Sequence, residues 1–157
     1  MNTELMFSTK SNEWETPKEF FNLLDAEFHF TLDPCATDEN HKCDKYYTIK
    51  DDGLSKSWKG ETVFMNPPYG RIISKWIKKA YEESLQDNTT VVCLIPARTD
   101  TKFTHLYCSK GEIRFLQGRI KFTNKLISTP KPQPAPFPSM IVIFGKKSKN
   151  TISFIKM

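Results

Sequence analysis

Thr62-Val63-Phe64-Met65-Asn66-Pro67-Pro68-Tyr69-Gly70 sets a four-residue apolar run of strand type against a stop that a central strand cannot cross. Two consecutive prolines remove two backbone donors and fix their own φ angles. Beyond Gly70, Ile72, Ile73, Trp76, Ile77, Ala80, Tyr81 and Leu85 share one face at helical spacing, which predicts a helix closing near Gln86. Asp87-Asn88 turns the chain. Val91 to Ile95 is then a second apolar run, ended by Pro96, of the kind that forms a strand covered on both faces. Strand, helix and strand in succession argue for a parallel sheet.

The flanking sequence extends this alternation. Upstream, Thr16-Pro17-Lys18-Glu19 reads as a helix start, with Thr16 as cap, Pro17 in the first helical position and Glu19 completing a capping box. Phe20, Phe21, Leu24 and Phe28 supply the apolar stripe of a helix ending near Glu27. Phe28 to Asp33 alternates as a strand does, and Pro34 stops it. From Cys35 to Gly60 the chain is polar and weakly periodic, anchored by Tyr46, Tyr47, Ile49, Leu54 and Trp58, with at most one short strand near Tyr46 to Lys50. Downstream, Phe103, Leu106 and Tyr107 signal a helix that Gly111 can terminate. Glu112 to Gln117 and Met140 to Gly145 read as two more strands. Residues 123–138, which contain Pro130, Pro132, Pro134, Pro136 and Pro138, read as an extended exposed loop. The expectation is one α/β domain over residues 1–157. It has a mostly parallel sheet, helices on both faces, a C-terminal β-hairpin and a flexible arm at residues 1–12.

Composition is compatible with that size and class. The 157 residues are 38% apolar, 26% charged and 13% aromatic, enough for one soluble core and too few for a multidomain machine. A formal net charge of +5 is a weak vote for an anionic partner. No apolar run reaches membrane-spanning length, and Met1 to Lys10 lacks the pattern of a secretory signal, so a cytoplasmic protein is expected. Cys35, Cys43, Cys93 and Cys108 are irregularly spaced, which favours reduced thiols. The spacing of Cys35, His41 and Cys43 matches no common zinc pattern, and no metal is assigned.

In open sheets of this kind ligands bind beyond the carboxyl ends of the strands, here at Asp33-Pro34, at Asn66-Pro67-Pro68-Tyr69 and at Pro96-Ala97-Arg98. The tetrapeptide suits methylation of an exocyclic amine on a nucleobase. The amine lone pair is delocalised into the ring, so the nitrogen is a poor nucleophile until its hydrogens are held out of plane. The Asn66 side-chain oxygen can take one hydrogen, and the Pro67 carbonyl, aimed by the proline turn, the other. Tyr69 offers a ring on which an extruded base could stack, worth about 1–3 kcal/mol. Catalysis would then be largely positioning.

Five motifs in order carry a resemblance. Trp14-Glu15-Thr16-Pro17, Leu32-Asp33-Pro34-Cys35-Ala36, Asn66-Pro67-Pro68-Tyr69, Leu94-Ile95-Pro96-Ala97-Arg98-Thr99 and Gly118-Arg119-Ile120-Lys121-Phe122 together resemble the small phage-encoded Dam-like DNA adenine N6-methyltransferases. The resemblance spans Trp14 to Lys147. It implies a Rossmann-like class I methyltransferase fold, S-adenosylmethionine as cofactor and adenine-containing, double-stranded DNA as partner. Position by position, it implies that Asp33, Pro34 and Cys35 lie near the methionine and ribose of the cofactor. Trp14, Thr16 and Pro17 would cover its methionine, Asp51 or Asp52 would contact its adenine, and Asn66 would stand between cofactor and base. Asn66, Pro67, Pro68 and Tyr69 would form the catalytic loop. Arg119 and Phe122 would sit on the substrate side with Arg98 and Tyr69.

The chain departs from the family pattern in three places. The interval between Asp33 and Asn66 is too short for two full strand-helix units, the turn after the first strand has no glycine, and no separate target-recognition domain is visible. Sequence reading would therefore fall to loops such as Arg98 to Lys102 or Phe122 to Pro138. Two alternatives stay open: the same fold acting on RNA adenine or a protein glutamine, and a nucleic-acid-binding module without catalysis.

Overall fold

The computed structural model describes residues 14–122 and 133–157. The expected arm at residues 1–12 and most of the proline-rich loop, residues 123–132, lie outside the described residues. A seven-stranded sheet, in the order β2-β1-β3-β4-β8-β5-β9, organises the rest. Its strands are β1 (Leu32–Asp33), β2 (Lys45–Tyr46), β3 (Thr62–Met65), β4 (Thr90–Pro96), β5 (Glu112–Leu116), β8 (Ser139–Gly145) and β9 (Ile152–Ile155). A separate two-stranded ribbon joins β6 (Lys121–Phe122) to β7 (Gln133–Pro134). The β1-β2, β1-β3, β3-β4 and β5-β9 pairings are parallel. Strand β8 runs antiparallel to both neighbours, β4 and β5, which supplies the expected hairpin. The fold is therefore the mostly parallel sheet that the alternation of elements predicts, of the Rossmann-like type that the resemblance implies.

Period-two alternation along the strands divides the core into two layers. One layer holds Val63, Met65, Val91, Cys93, Ile95 and Val142 against Ile73, Trp76, Ile77 and Ala80 of helix α2 (Ile73–Ser84) and Phe103 of helix α3 (Lys102–Leu106). The intervening residues Phe64, Val92, Leu94, Ile141 and Ile143 face the other way. There they meet Phe20, Phe21, Leu24 and Phe28 of helix α1 (Lys18–Phe28). Burying each Val, Leu, Ile, Phe or Met side chain of these layers stabilises the fold by about 1.5–3 kcal/mol.

Five local expectations are corrected. Helix α1 takes Pro17, not Thr16, as its N-cap residue, with no side-chain cap. Proline has no N–H for Glu19 to reach, so the capping box cannot close. The strand expected over residues 28–33 shrinks to Leu32–Asp33 because Phe28 completes the helix. His29 then turns into the left-handed region at φ 57°, while the Asp25 carboxylate accepts the Phe30 N–H at 2.8 Å. Ile49 is no anchor, being 94% exposed. Finally, β9 lies beyond the last strand read from sequence, as a parallel edge strand on β5. Within the proline-rich segment, Pro134, Pro136 and Pro138 are exposed as expected, but Ala135 is buried and Phe137 packs on the core.

Candidate active site

The carboxyl ends of β1 and β3 open onto a cavity of about 450 Å³. Its apolar walls include Trp14, Pro34, Leu54, Pro68 and Trp76, and Ile49 and Ile72 sit at its exposed rim. Three carboxylates, Glu15, Glu39 and Asp52, line it together with the neutral polar groups of Thr37, Asn40, Thr48 and Asn66, and among the described residues no lysine or arginine does. In a chain of net charge +5, that concentration of acid is a local choice. It favours a ligand bearing positive charge, hydroxyls and a flat ring.

Two backbone features hold the walls. The Asp33 carboxylate is buried and turns the chain after β1, Oδ1 accepting the Cys35 N–H at 3.2 Å and Oδ2 the Lys42 N–H at 3.0 Å. Burial pushes its pKa above the ordinary carboxylate value, against those two donors. Both oxygens are thus engaged by the protein, and Asp33 itself does not line the cavity. Opposite, the 3₁₀ turn Gly53–Ser55 presses on that turn. A Cβ on Gly53 would lie 2.5 Å from the Pro34 carbonyl oxygen and 3.1 Å from the Trp76 ring.

The tetrapeptide Asn66-Pro67-Pro68-Tyr69 leaves β3 at the cavity's edge. The Asn66 side-chain nitrogen donates to the Trp14 carbonyl and to Thr16 Oγ1, each at 2.9 Å. Its oxygen accepts the Tyr69 hydroxyl at 2.8 Å. An amide has two hydrogens and two lone pairs, so one lone pair on Asn66 Oδ1 is left over. No described residue donates to the Pro67 carbonyl. Tyr69 is 5% exposed and does not line the cavity. Phe137 and Phe122 flank its ring, with centroids 5.3 and 6.4 Å away and planes at 79° and 78°. Burial raises its hydroxyl pKa, keeping it a neutral donor. Trp14 joins the same group, 5.6 Å from Phe122.

The sequence-derived candidates separate into three sets. Trp14, Pro34, Cys35, Asp52, Asn66 and Pro68 line the cavity. Thr16, Pro17, Asp33, Asp51, Pro67, Tyr69 and Phe122 do not line it, and Asp51, exposed, is engaged by the Thr48 N–H at 2.8 Å and the Thr48 hydroxyl at 3.1 Å. Arg98 and Arg119 are exposed on the carboxyl edge, at the ends of β4 and β5, where Arg71, Lys102 and Lys121 are exposed too. Two lysines of α2 are paired instead: Lys79 bonds Glu83 at 2.6 Å and lies 5.5 Å over Trp58, and Lys78 sits 3.8 Å from Glu82. Sequence reading missed Phe137, whose only signal was an aromatic between prolines, and Glu39, Asn40 and Thr48, which sit in an aperiodic stretch. His41 bonds the Cys43 carbonyl through Nδ1 and stacks on Tyr46.

Residues 4–156 match the family described as DNA N-6-adenine-methyltransferase (Dam). The chain is 30% identical over 151 residues to the DNA N-6-adenine-methyltransferase of Haemophilus phage HP1 (strain HP1c1), covering 89% of this chain and 86% of that protein. It is 33% identical over 107 residues to the DNA N-6-adenine-methyltransferase of Escherichia phage T1, covering 66% of this chain and 44% of the relative. With a family match across almost its whole length and a sheet of the corresponding type, the chain belongs to the Dam family of DNA adenine N6-methyltransferases.

Proposed function

We propose that this protein uses S-adenosylmethionine to methylate the N6 amine of an adenine extruded from double-stranded DNA, as a single domain working in the host cytoplasm. The observation that carries this reading is the Asn66 amide, which borders an acid-lined cavity with one carbonyl lone pair unspent. The cavity suits the cofactor: the carboxylates Glu15, Glu39 and Asp52 complement its sulfonium and ammonium charges and can accept its ribose hydroxyls, while Trp76 and Leu54 offer apolar walls to its adenine. When bound, the cofactor supplies an electrophilic methyl group.

The chain's own residues do the rest. Asn66 Oδ1 accepts one hydrogen of the target amine and the Pro67 carbonyl accepts the other. The nitrogen lone pair is thereby drawn out of conjugation with the ring and aimed at the cavity. Tyr69 keeps Asn66 Oδ1 in place through its hydroxyl, and its ring becomes a stacking surface once Phe137 yields. Arg98 and Arg119 grip the DNA phosphates on the exposed carboxyl edge. Asp52 contacts the cofactor in preference to Asp51, whose carboxylate is held by Thr48. Pro34, Cys35 and Trp14 form the wall against the cofactor, with Asp33 and Pro17 supporting it from behind.

The test is direct. Unmethylated double-stranded DNA is incubated with the protein and cofactor labelled in the methyl group, digested to nucleosides and analysed by mass spectrometry. Label in N6-methyladenosine of the deoxy series supports the reading; label in cytosine, or none in DNA, overturns it.

A further inference from the structure

The tripeptide Trp14-Glu15-Thr16 has two faces. Trp14 and Glu15 line the cavity, whereas the Trp14 carbonyl and Thr16 Oγ1 both accept from the side chain of Asn66. Thr16 is 2% exposed, does not cap helix α1 and does not line the cavity, so neither local structure nor ligand contact accounts for its hydroxyl.

An asparagine amide can be flipped by 180° at almost no steric cost, and it can also swing about its Cβ–Cγ bond. Methyl transfer to an amine needs the oxygen toward the substrate, held still. The Trp14 carbonyl can only accept, so the group facing it must be the amide nitrogen. That sets the flip. The Tyr69 hydroxyl holds Oδ1 on the other side, and the second amide hydrogen, donated to Thr16 Oγ1, fixes the amide plane at a third point.

We infer that Thr16 is a positioning residue for methyl transfer: its hydroxyl, paired with the Trp14 carbonyl, holds both amide hydrogens of Asn66 so that the remaining lone pair of Oδ1 meets the substrate amine. This rests on the function proposed above and differs from a methionine-covering role for Thr16, because it places the effect on turnover and not on cofactor affinity. Trp14 and Glu15 belong to the cavity wall, so the lock and the cofactor seat are built from one short stretch of backbone.

The experiment compares Thr16→Val, which keeps the shape and loses the acceptor, with Thr16→Ser, which keeps the acceptor. Thr16→Val is expected to lower kcat about tenfold while leaving the Kd for S-adenosylhomocysteine, measured by calorimetry, within about twofold; Thr16→Ser is expected to restore kcat. A kcat unmoved by Thr16→Val, a weakened Kd with kcat intact, or failure of Thr16→Ser to rescue would each overturn the inference. Hydrogen exchange at the Asn66 side-chain amide, followed by NMR in the unmodified protein, needs neither a folded variant nor turnover. Slow exchange of both hydrogens relative to Asn40 supports the lock, and exchange as fast as that of an exposed amide overturns it. An unmodified protein that transfers no methyl group sinks the proposed function. Slow exchange combined with turnover unmoved by Thr16→Val sinks only the role given to Thr16.

Discussion

At the scale of single residues, the bond inventory of Asn66 ties sequence to chemistry. Three of its four hydrogen-bonding positions are taken by Trp14, Thr16 and Tyr69, and the fourth is available at the cavity. Asn66→Ala should lower kcat by about a hundredfold or more, in line with the loss of other preorganised polar contacts at reacting centres. Cofactor affinity should fall far less, since the walls remain; single-turnover assays beside calorimetry read the two separately. The paired aspartates make a second residue-scale comparison. Asp52→Asn should weaken S-adenosylhomocysteine binding about tenfold, the cost of losing a hydrogen bond to a charged acceptor. Asp51→Asn, at the side chain that closes on Thr48, should change that Kd much less. Equal effects of the two substitutions would place the cofactor differently.

At the scale of elements, the site depends on how closely two turns approach. The turn after β1 contains no glycine and is shaped instead by the Asp33 carboxylate, which gathers the Cys35 and Lys42 N–H groups. Glycine is needed on the facing 3₁₀ turn, where the Pro34 carbonyl occupies the space a side chain would use. Gly53→Ala should therefore force the turns apart and lower stability by about 1–3 kcal/mol, measured by urea denaturation. It should also weaken cofactor binding, although no hydrogen bond is removed. The Trp58 indole donates to the Gly53 carbonyl at 3.0 Å, and the buried Glu83 carboxylate accepts the Trp58 N–H at 2.8 Å, so the 3₁₀ turn is braced against α2.

For the whole molecule, charge is distributed by task. Acid lines the cavity, while Arg71, Arg98, Lys102, Arg119 and Lys121 lie exposed around the same carboxyl edge. The affinity for duplex DNA should fall steeply with salt, and Arg98→Ala or Arg119→Ala should each reduce the slope of log K against log salt by about one. A slope left intact by both would remove these arginines from the DNA interface. On the far side of the sheet, Arg114 bridges Glu112 of its own strand and Glu27 of α1, meeting Glu27 through two bonds of 2.7 Å. The hydrogen bond from Arg114 holds the Glu27 pKa below its ordinary 4.5. The folded state then binds fewer protons than the unfolded state in that range, so this contribution is present above the ordinary value and lost as pH falls through the depressed one. Glu27→Gln should accordingly be less stable than the parent at pH 7, by about 0.5–1 kcal/mol since the Glu27 carboxylate is half exposed, and the difference should vanish in acid.

How much of this was legible in the chain follows from the range of the forces involved. Helical and strand periodicities mark which side chains must leave water, so α1, α2, β3, β4, β5 and β8 could be read, as could the stop at Asn66-Pro67-Pro68-Tyr69, because proline acts on its own backbone. The segment 35–60 could not be read, since its form depends on contacts with few local signals: Asp33 reaching Lys42, Gly53 pressed on Pro34, Trp58 held by Glu83. Strand β9 escaped because an edge strand buries one flank only, leaving Ile152 and Phe154 exposed and the pattern weak. Chemical identity at residues 66–69 was written locally. The orientation of Asn66 was decided only when residues 14 and 16 came to lie beside it, fifty positions away, because a hydrogen bond selects an acceptor by distance in space and not by distance along the chain.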